Sequence, residues 1–488
     1  MHSHPQDIAA IRPMQADAPL IVYIDFKSPY AYLAIEPTRQ MLADLGLVAD
    51  WRPFVLDIGS YLGSAKLDKK GKVATENRSK EQWSGVKYAY FDCRRYANLR
   101  GLTIRGTVKI WDTNLPAVAM LWVKQHESLA EQCAPDSLLE RFLDAVYVPF
   151  WRRELDVEEL EAMIEILQKI GAPTAGFAEF ARSEDESGQG WLLNDKLQQQ
   201  TFDAGVYGVP TFILPESAEQ PQRKFFGREH LLRIAWHLQG ELGAAPDVGY
   251  QELDNVSIEQ LKASATGAPE GGRQDKQLRV FFDFKDPNSY LAMAPLLGAR
   301  DEHDIVLQWH ATLSSPLKRP ASKSDAEDRS QRHRRIRGEY LVEDLQRYAP
   351  HPLADVHADI DTSVVMAALA WLGQTINASA ALVDAFVQAV FLRFWREQQS
   401  ISGLGDADAI MQQLRETDRL SEIDFAQWQQ LARAPEEFDR LRSKAIDAAL
   451  ALAHEHGVFA TPTMMLDHEP FQGRAQLPLV VARLNAGV

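Results

Sequence analysis

The chain has 488 residues, 45% of them hydrophobic and 25% charged, a globular composition in a length that predicts more than one domain, since domains run to about 100–200 residues. Its 52 Lys and Arg against 68 Asp and Glu give a formal charge of −16. That field repels phosphate backbones and anionic lipid heads, which argues against nucleic-acid and membrane partners.

In chain order, Leu20 to Asp25 is a short β-branched apolar run and predicts a buried strand. Pro29 follows at a helix-starting position, with Leu33, Ile35, Met41, Leu42 and Leu45 spaced for a helix. Ala49 to Leu56 reads as a second strand, so the unit is a parallel crossover. A long, mainly helical stretch comes next: Tyr88 to Leu99, Leu115 to Lys124, Leu138 to Val146, Val157 to Ile170 and Thr174 to Ala181. GVPTFIL and RKFF form two strands about the turn-rich Pro215 to Gln222, and Glu229 to Leu238 closes with a helix. This order predicts an α/β thioredoxin-type core with a large helical insertion.

The pattern is written twice. Asp25-Phe26-Lys27, Pro29 and Tyr32-Leu33-Ala34 return as Asp283-Phe284-Lys285, Pro287 and Tyr290-Leu291-Ala292. Further matches keep their order: Tyr88, Asp92 and Arg95-Tyr96-Ala97 with Tyr340, Asp344 and Arg347-Tyr348-Ala349; Asp112-Thr113 with Asp361-Thr362; Gly205-Val206 with Gly457-Val458; Pro210-Thr211 with Pro462-Thr463. Residues 18–240 and 277–488 are therefore expected to be two tandem domains of one fold. Residues 241–276, with the Gly- and Ala-rich ASATGAPEGGRQDK, are expected to link them.

Cys93 and Cys133 are the only cysteines and lie far apart in sequence, so no redox dithiol or metal pair is on offer. His454 and His456 stand at i and i+2 and share no helix face, so no metal site is expected. Ser28 immediately precedes Pro29, where unpaired N–H groups and the helix dipole favour an anion and a hydroxyl adds a donor; the plainer alternative is an N-cap. Ser330 to Arg337, SQRHRRIR, reads as a solvated basic helix face. The opening MHSHPQDIAAIRPMQADAPL lacks the apolar core of a secretory signal, which points to the cytoplasm.

Taken together, Asp25-Phe26-x-Ser28-Pro29-Tyr30, Trp51-Arg52-Pro53-Phe54, Tyr88-x3-Asp92-x2-Arg95-Tyr96-Ala97, Asn114-Leu115-Pro116-Ala117, Gly208-Val209-Pro210-Thr211-Phe212 and Phe226-Gly227 resemble 2-hydroxychromene-2-carboxylate isomerase and the kappa-class glutathione transferase. Both belong to the DsbA-like branch of the thioredoxin superfamily. The resemblance spans residues 18–240 and is weaker from about residue 277 on. It implies glutathione as cofactor, its thiolate beside Ser28 and its cysteinyl backbone paired with Val209 next to a cis Pro210. Glu229 and Arg228 are expected at the γ-glutamyl end, where the family usually has a small residue and an aspartate. Asn114 is expected to meet a substrate oxygen, with a capping role as the alternative. The implied activity is that of a glutathione-dependent isomerase or transferase on a small, conjugated, aromatic-derived electrophile.

In the second half Asp286 replaces Ser28, Ser363 replaces Asn114, and Gly473-Arg474-Ala475 lacks an acid. A carboxylate where a thiolate belongs is repulsive, so this domain is expected to be a non-catalytic partner, paired internally or in a homodimer. The rival reading of the whole chain is a binding or scaffold protein without dithiol chemistry.

Overall fold

The β-branched run of the first half becomes β1, Leu20–Ile24, with every residue buried. Pro29 has no N–H to leave unpaired and opens α1, Pro29–Leu45, which Gly46 ends in the left-handed region at φ 63°. β2, Ala49–Pro53, returns parallel to β1 and stops short of the expected Leu56, with Ile24 opposite Pro53. The structure is a computed structural model that describes residues 5–62, 64–67, 73–77, 79–132, 134–182, 188–218, 220–250, 256–265, 273, 275–324 and 326–488.

After β2 come α2 (Ile58–Leu62), β3 (Ser64–Leu67), β4 (Val73–Asn77), α3 (Lys80–Leu99), α4 (Asn114–Lys124), α5 (Leu129–Gln132), α6 (Leu138–Trp151), α7 (Leu160–Ile170), α8 (Phe177–Phe180) and α9 (Gln189–Asp203). β5 (Thr211–Leu214) runs antiparallel to β1, β6 (Arg223–Phe226) pairs with β5, and α10 (Leu231–Leu238) follows; the sheet order is β2-β1-β5-β6. α9 lies where the sequence predicts no element.

Then come α11 (Ile258–Ser264), β7 (Gln277–Phe282), α12 (Pro287–His303), β8 (Val306–Ala311), α13 (Arg329–Tyr348), α14 (Ser363–Gln374), α15 (Ala380–Phe391), a π-helical turn at Leu392–Arg396, α16 (Leu404–Glu416), α17 (Glu422–Ala432), α18 (Pro435–Glu455), β9 (Thr463–Leu466), β10 (Glu469–Gln472) and α19 (Leu477–Ala486). The sheet order is β10-β9-β7-β8, with β7 parallel to β8 and antiparallel to β9. Read from its other edge, this is the connectivity of the first sheet.

The chain forms two units, Met1–Ser264 with Ser322–Arg337, and Ala265–Ala321 with Gly338–Val488. Two stretches differ from their sequence reading. α11, inside the expected linker, packs against α3, with Leu261 and Ser264 buried and Gln260 donating to the Leu99 carbonyl at 3.2 Å; residues 251–255, 266–272 and 274 of that linker lie outside the described residues. In the expected solvated face, His333, Arg335 and Ile336 are buried. Among the described residues no helix is long and apolar enough to cross a membrane.

Candidate active site

Asp25, just past the end of β1 and 2% exposed, ties the surrounding loops together. Its carboxylate accepts the Thr113 hydroxyl at 2.6 Å, the Leu56 N–H at 2.8 Å and the Lys27 N–H at 3.3 Å, and the Lys27 ammonium lies 3.6 Å away. The Tyr147 hydroxyl donates to the Asp25 carbonyl at 3.0 Å, and burial, then the nearby Asp25 charge, push the Tyr147 pKa well above its usual value. One carboxylate thus joins the start of α1, the loop after β2 and the start of α4.

Ser28 is the N-cap of α1, its hydroxyl oxygen accepting the Ala31 N–H at 3.2 Å. The hydroxyl proton has no acceptor among the described residues, and the residue is 5% exposed. The Val209–Pro210 bond is cis. The β1–β5 ladder ends with Tyr23 opposite Thr211, so Val209, just before Thr211 in an antiparallel strand, lies toward the same end of the sheet as Asp25 and Ser28, just past the end of β1. Pro210 accepts the Gly227 N–H at 3.0 Å, and the Thr211 hydroxyl donates to the Gly208 carbonyl at 2.7 Å. Neither backbone polar group of Val209 pairs with a described residue.

Asn114 opens α4 inside a chain of amides. Val55 N–H donates to Gln198 at 2.7 Å, Gln198 to Asn194 at 2.8 Å, Asn194 to Asn114 at 2.9 Å, and Asn114 to the Asp112 carboxylate at 2.7 Å. Every donor points toward the charge, an arrangement in which each bond polarises the next. Asn114 therefore has its carbonyl oxygen and one amide proton engaged. Sequence reasoning missed Asn194 and Gln198, for which α9 carried no signal.

Arg228 is 3% exposed, its guanidinium 4.6 Å from the Tyr96 ring centre and 4.0 Å from that of Tyr250. The pair recurs in the second unit, where Arg474 lies 5.1 Å from the Tyr348 ring. Glu229 folds its carboxylate over Gly227, so closely that a Cβ at that glycine would come within 2.2 Å of it; Gly227 is also at φ 110°.

A cavity of about 360 Å³ opens beside this end of the sheet, between α3 and residues 106–111. Lys27, Lys87, Arg94 and Lys109 line it with Trp83, Tyr90, Phe91 and Trp111, and no Asp or Glu is among its lining residues. Lys109 sits 4.3 Å from the Trp111 ring and pairs with Glu158 at 2.5 Å; Lys87 is 6.0 Å from the Trp83 ring. Ser28 does not line the cavity; Lys27, its neighbour, does. The signal was in the sequence: Trp83, Lys87, Tyr90, Phe91 and Arg94 recur at helical spacing on one face of α3.

A larger cavity, about 580 Å³, lies at the opposite end of the sheet beneath residues 5–19 and holds none of the expected site residues. Its floor is an ion triad, Asp50 with Arg52 at 2.6 Å and Lys124 at 2.8 Å. Burial works to raise the Asp50 pKa, but Lys124 and Arg52 outweigh it and hold the carboxyl far below the usual range. Arg52 also donates to the carbonyls of Arg12 and Gln15, which fastens the amino-terminal segment to the sheet.

Residues 19–239 match the DSBA-like thioredoxin domain. Solved structures similar to the chain include a 2-hydroxychromene-2-carboxylate isomerase, 21% identical over 42% of this chain and 93% of its own, with a TM-score of 0.30. A probable DsbA oxidoreductase from Streptomyces coelicolor is 17% identical over 47% of this chain and 93% of its own, TM-score 0.31. A cytosolic disulfide reductase from Pseudomonas aeruginosa, solved with glutathione, is 15% identical over 42% of this chain and 96% of its own, TM-score 0.28. No curated protein matches the chain by sequence. The matched segment has serine at position 28, and Cys93 is buried and in no disulfide; Cys133 lies outside the described residues.

Proposed function

We propose that the DSBA-like domain binds glutathione and acts as an isomerase or transferase on a small, conjugated, aromatic electrophile that carries a negative charge. The observation that carries this reading is the open backbone of Val209 at the same sheet end as the uncommitted hydroxyl proton of Ser28. An extended peptide pairs with such a backbone as an added strand, and a lone hydroxyl at a helix N-terminus suits a sulfur anion. Glutathione, when bound, supplies the nucleophilic sulfur.

The chain's own residues do the rest. Val209 holds the cysteinyl backbone, and Ser28 donates to the sulfur while the first turn of α1 favours its negative charge. Lys87 and Arg94 draw an anion into the cavity, whose other lining cations, Lys27 and Lys109, are paired with Asp25 and Glu158, and the rings of Trp83, Tyr90, Phe91 and Trp111 flank its flat face. Asn114, held by Asp112 and Asn194, presents its remaining amide proton to a substrate oxygen. Arg228 is left out because its guanidinium is committed to Tyr96 and Tyr250; Glu229 joins in if it swings off Gly227. We infer further that the two units arose by tandem duplication, on the shared sheet order and the repeated motifs.

Titration calorimetry with reduced glutathione tests the reading. Binding is expected for the wild type, with thiolate ultraviolet absorbance appearing on binding, and both weaken in Ser28→Ala. A wild type that gives no heat at millimolar glutathione sinks the proposal and leaves a binding or scaffold role.

A further inference from the structure

We propose that His333 is a positioning residue for the loop that carries Val209, an inference that rests on the glutathione reading. Ser322–Arg337, far along the chain, packs within the first unit. His333 is 7% exposed and its Nε2 lies 3.1 Å from the Tyr207 carbonyl oxygen. A carbonyl only accepts, so the ring carries its proton on Nε2. The imidazole also stands edge-on to the Tyr207 ring, 5.7 Å between centres at 86°. Phe226 also packs on Tyr207 at 4.9 Å and covers Gly208 so tightly that a Cβ there would meet it at 2.5 Å. The dipeptide just before Val209 is thereby held by both His333 and Phe226.

Two ion pairs seat the segment, Arg332 with Asp203 at 2.7 Å and Arg329 with Asp57 at 3.2 Å, and Arg329 stacks 4.4 Å over Phe202. The groove between the loop after β2 and the loop after α9 retains a void of only about 10 Å³. The second unit supplies the comparison. Phe459 holds the position of Tyr207, after Gly457-Val458 and ahead of the other cis proline, and is 49% exposed where Tyr207 is 5% exposed. A ring that half faces water in one unit is covered in the other by a histidine that also bonds the backbone two residues from the cofactor strand. That is the geometry of a brace which preorganises a binding edge and so spares its ordering on binding.

The test compares full-length wild type, His333→Ala and His333→Gln, whose amide can still donate to the carbonyl. Loss of one buried hydrogen bond and its ordering is expected to weaken glutathione about tenfold in His333→Ala. Amide hydrogen exchange should quicken across residues 202–209 but not in β1, and His333→Gln should recover most of both effects. Equal glutathione affinity in wild type and His333→Ala overturns the inference. If wild type binds no glutathione, the functional reading fails by itself; unchanged exchange at 202–209 in His333→Ala then overturns the brace, and quickened exchange supports it. Should His333→Ala not fold, Arg332→Glu should loosen the same residues and Arg332→Glu with Asp203→Arg should restore them, and no change in either overturns the inference.

Discussion

Ser28 and Asp286 hold the same place, the N-cap of the helix that follows a central strand, and both accept first-turn N–H groups: Ser28 from Ala31 at 3.2 Å, Asp286 from Asn288 at 3.2 Å and Ser289 at 3.1 Å. Behind each stands the same organiser. Asp25 takes the N–H of Lys27, the hydroxyl of Thr113 and the N–H of Leu56; Asp283 takes the N–H of Lys285, the hydroxyl of Thr362 and the N–H of Ser314. What differs is what remains after capping. Ser28 keeps a proton to give, while Asp286 brings a charge, which also attracts the side chain of Thr461, the residue before the second cis proline. Scaffold and site chemistry separate here: the frame that shapes a helix start persists while the group aimed outward changes.

The sharpest break between the units lies below the sheet. Asp50 is buried against Arg52 and Lys124, whereas the matching strand position, opposite Arg279 in its ladder, is the neutral Gln308. Asp50→Ala strands two buried cations and is expected to cost about 3–5 kcal/mol in urea unfolding. Gln308→Ala, which removes only a hydrogen bond to Gln277 from a half-buried position, should cost about 1 kcal/mol or less. Comparable losses in the two variants would mean that the triad does not hold the amino-terminal segment.

Exchanging the caps probes the site itself. Asp is as good a cap as Ser, but burial disfavours its charge as at Asp286, so Ser28→Asp is expected to cost about 1–2 kcal/mol at pH 7 while removing at least about tenfold of glutathione affinity through charge repulsion. Calorimetry beside a thermal melt reads both. If affinity survives the exchange, the thiolate does not sit at position 28.

Asp286 offers a smaller, pH-resolved effect. Burial raises its pKa from 3.8 to about 6, against hydrogen bonds from Ser289, Thr461 and Asn288 and with some help from Asp283. The folded chain therefore binds more protons than the unfolded one between these values, and stability falls as pH rises through that window. Asp286→Asn keeps the cap, abolishes that fall and should stabilise the protein by about 1–2 kcal/mol at pH 7. Urea midpoints across the range check it; parallel curves for variant and wild type would place Asp286 in water.

How much of this was readable in the sequence depended on whether local or tertiary forces decide a residue's place. β1 and α1 were legible because a β-branched run and a proline at the first turn are local signals. α9 was not: QGWLLNDKLQQQTFD has no sustained apolar stripe, its Leu192 is 49% exposed, and it is held by the Asn194 and Gln198 amides reaching α4 and β2. The aromatic surroundings of Arg228 were not legible either, because Tyr96 and Tyr250, whose rings its guanidinium faces, are distant in sequence. The basic face of SQRHRRIR misled in the same way, since its acidic partners Asp57 and Asp203 meet it only after folding. The aromatic and basic face of α3, in contrast, is a local pattern at helical spacing and legible in the sequence.

The least effect expected is also the one that separates the brace from simple packing. His333 has its pKa lowered to about 4, by burial first and then by Arg337, Arg329 and Arg334 of its own helix, against the bond to the Tyr207 carbonyl. Facing it from other elements, Asp203 and Asp57 are engaged by Arg332 and Arg329. Between about pH 6.5 and 4 an unfolded histidine binds a proton that the folded one refuses, so stability declines as pH falls through that range, on the order of 1 kcal/mol once solvent screening is allowed for. His310 in the second unit is lowered to about 4 as well, by burial, Arg279 and His456, and contributes a decline of the same sign. His333→Gln should remove one of these two declines and His310→Gln the other, but only His333→Gln should also flatten the loss of protection at residues 202–209 between pH 7 and 5. If both variants change that local exchange alike, the histidine acts through global stability and does not brace the loop before Val209.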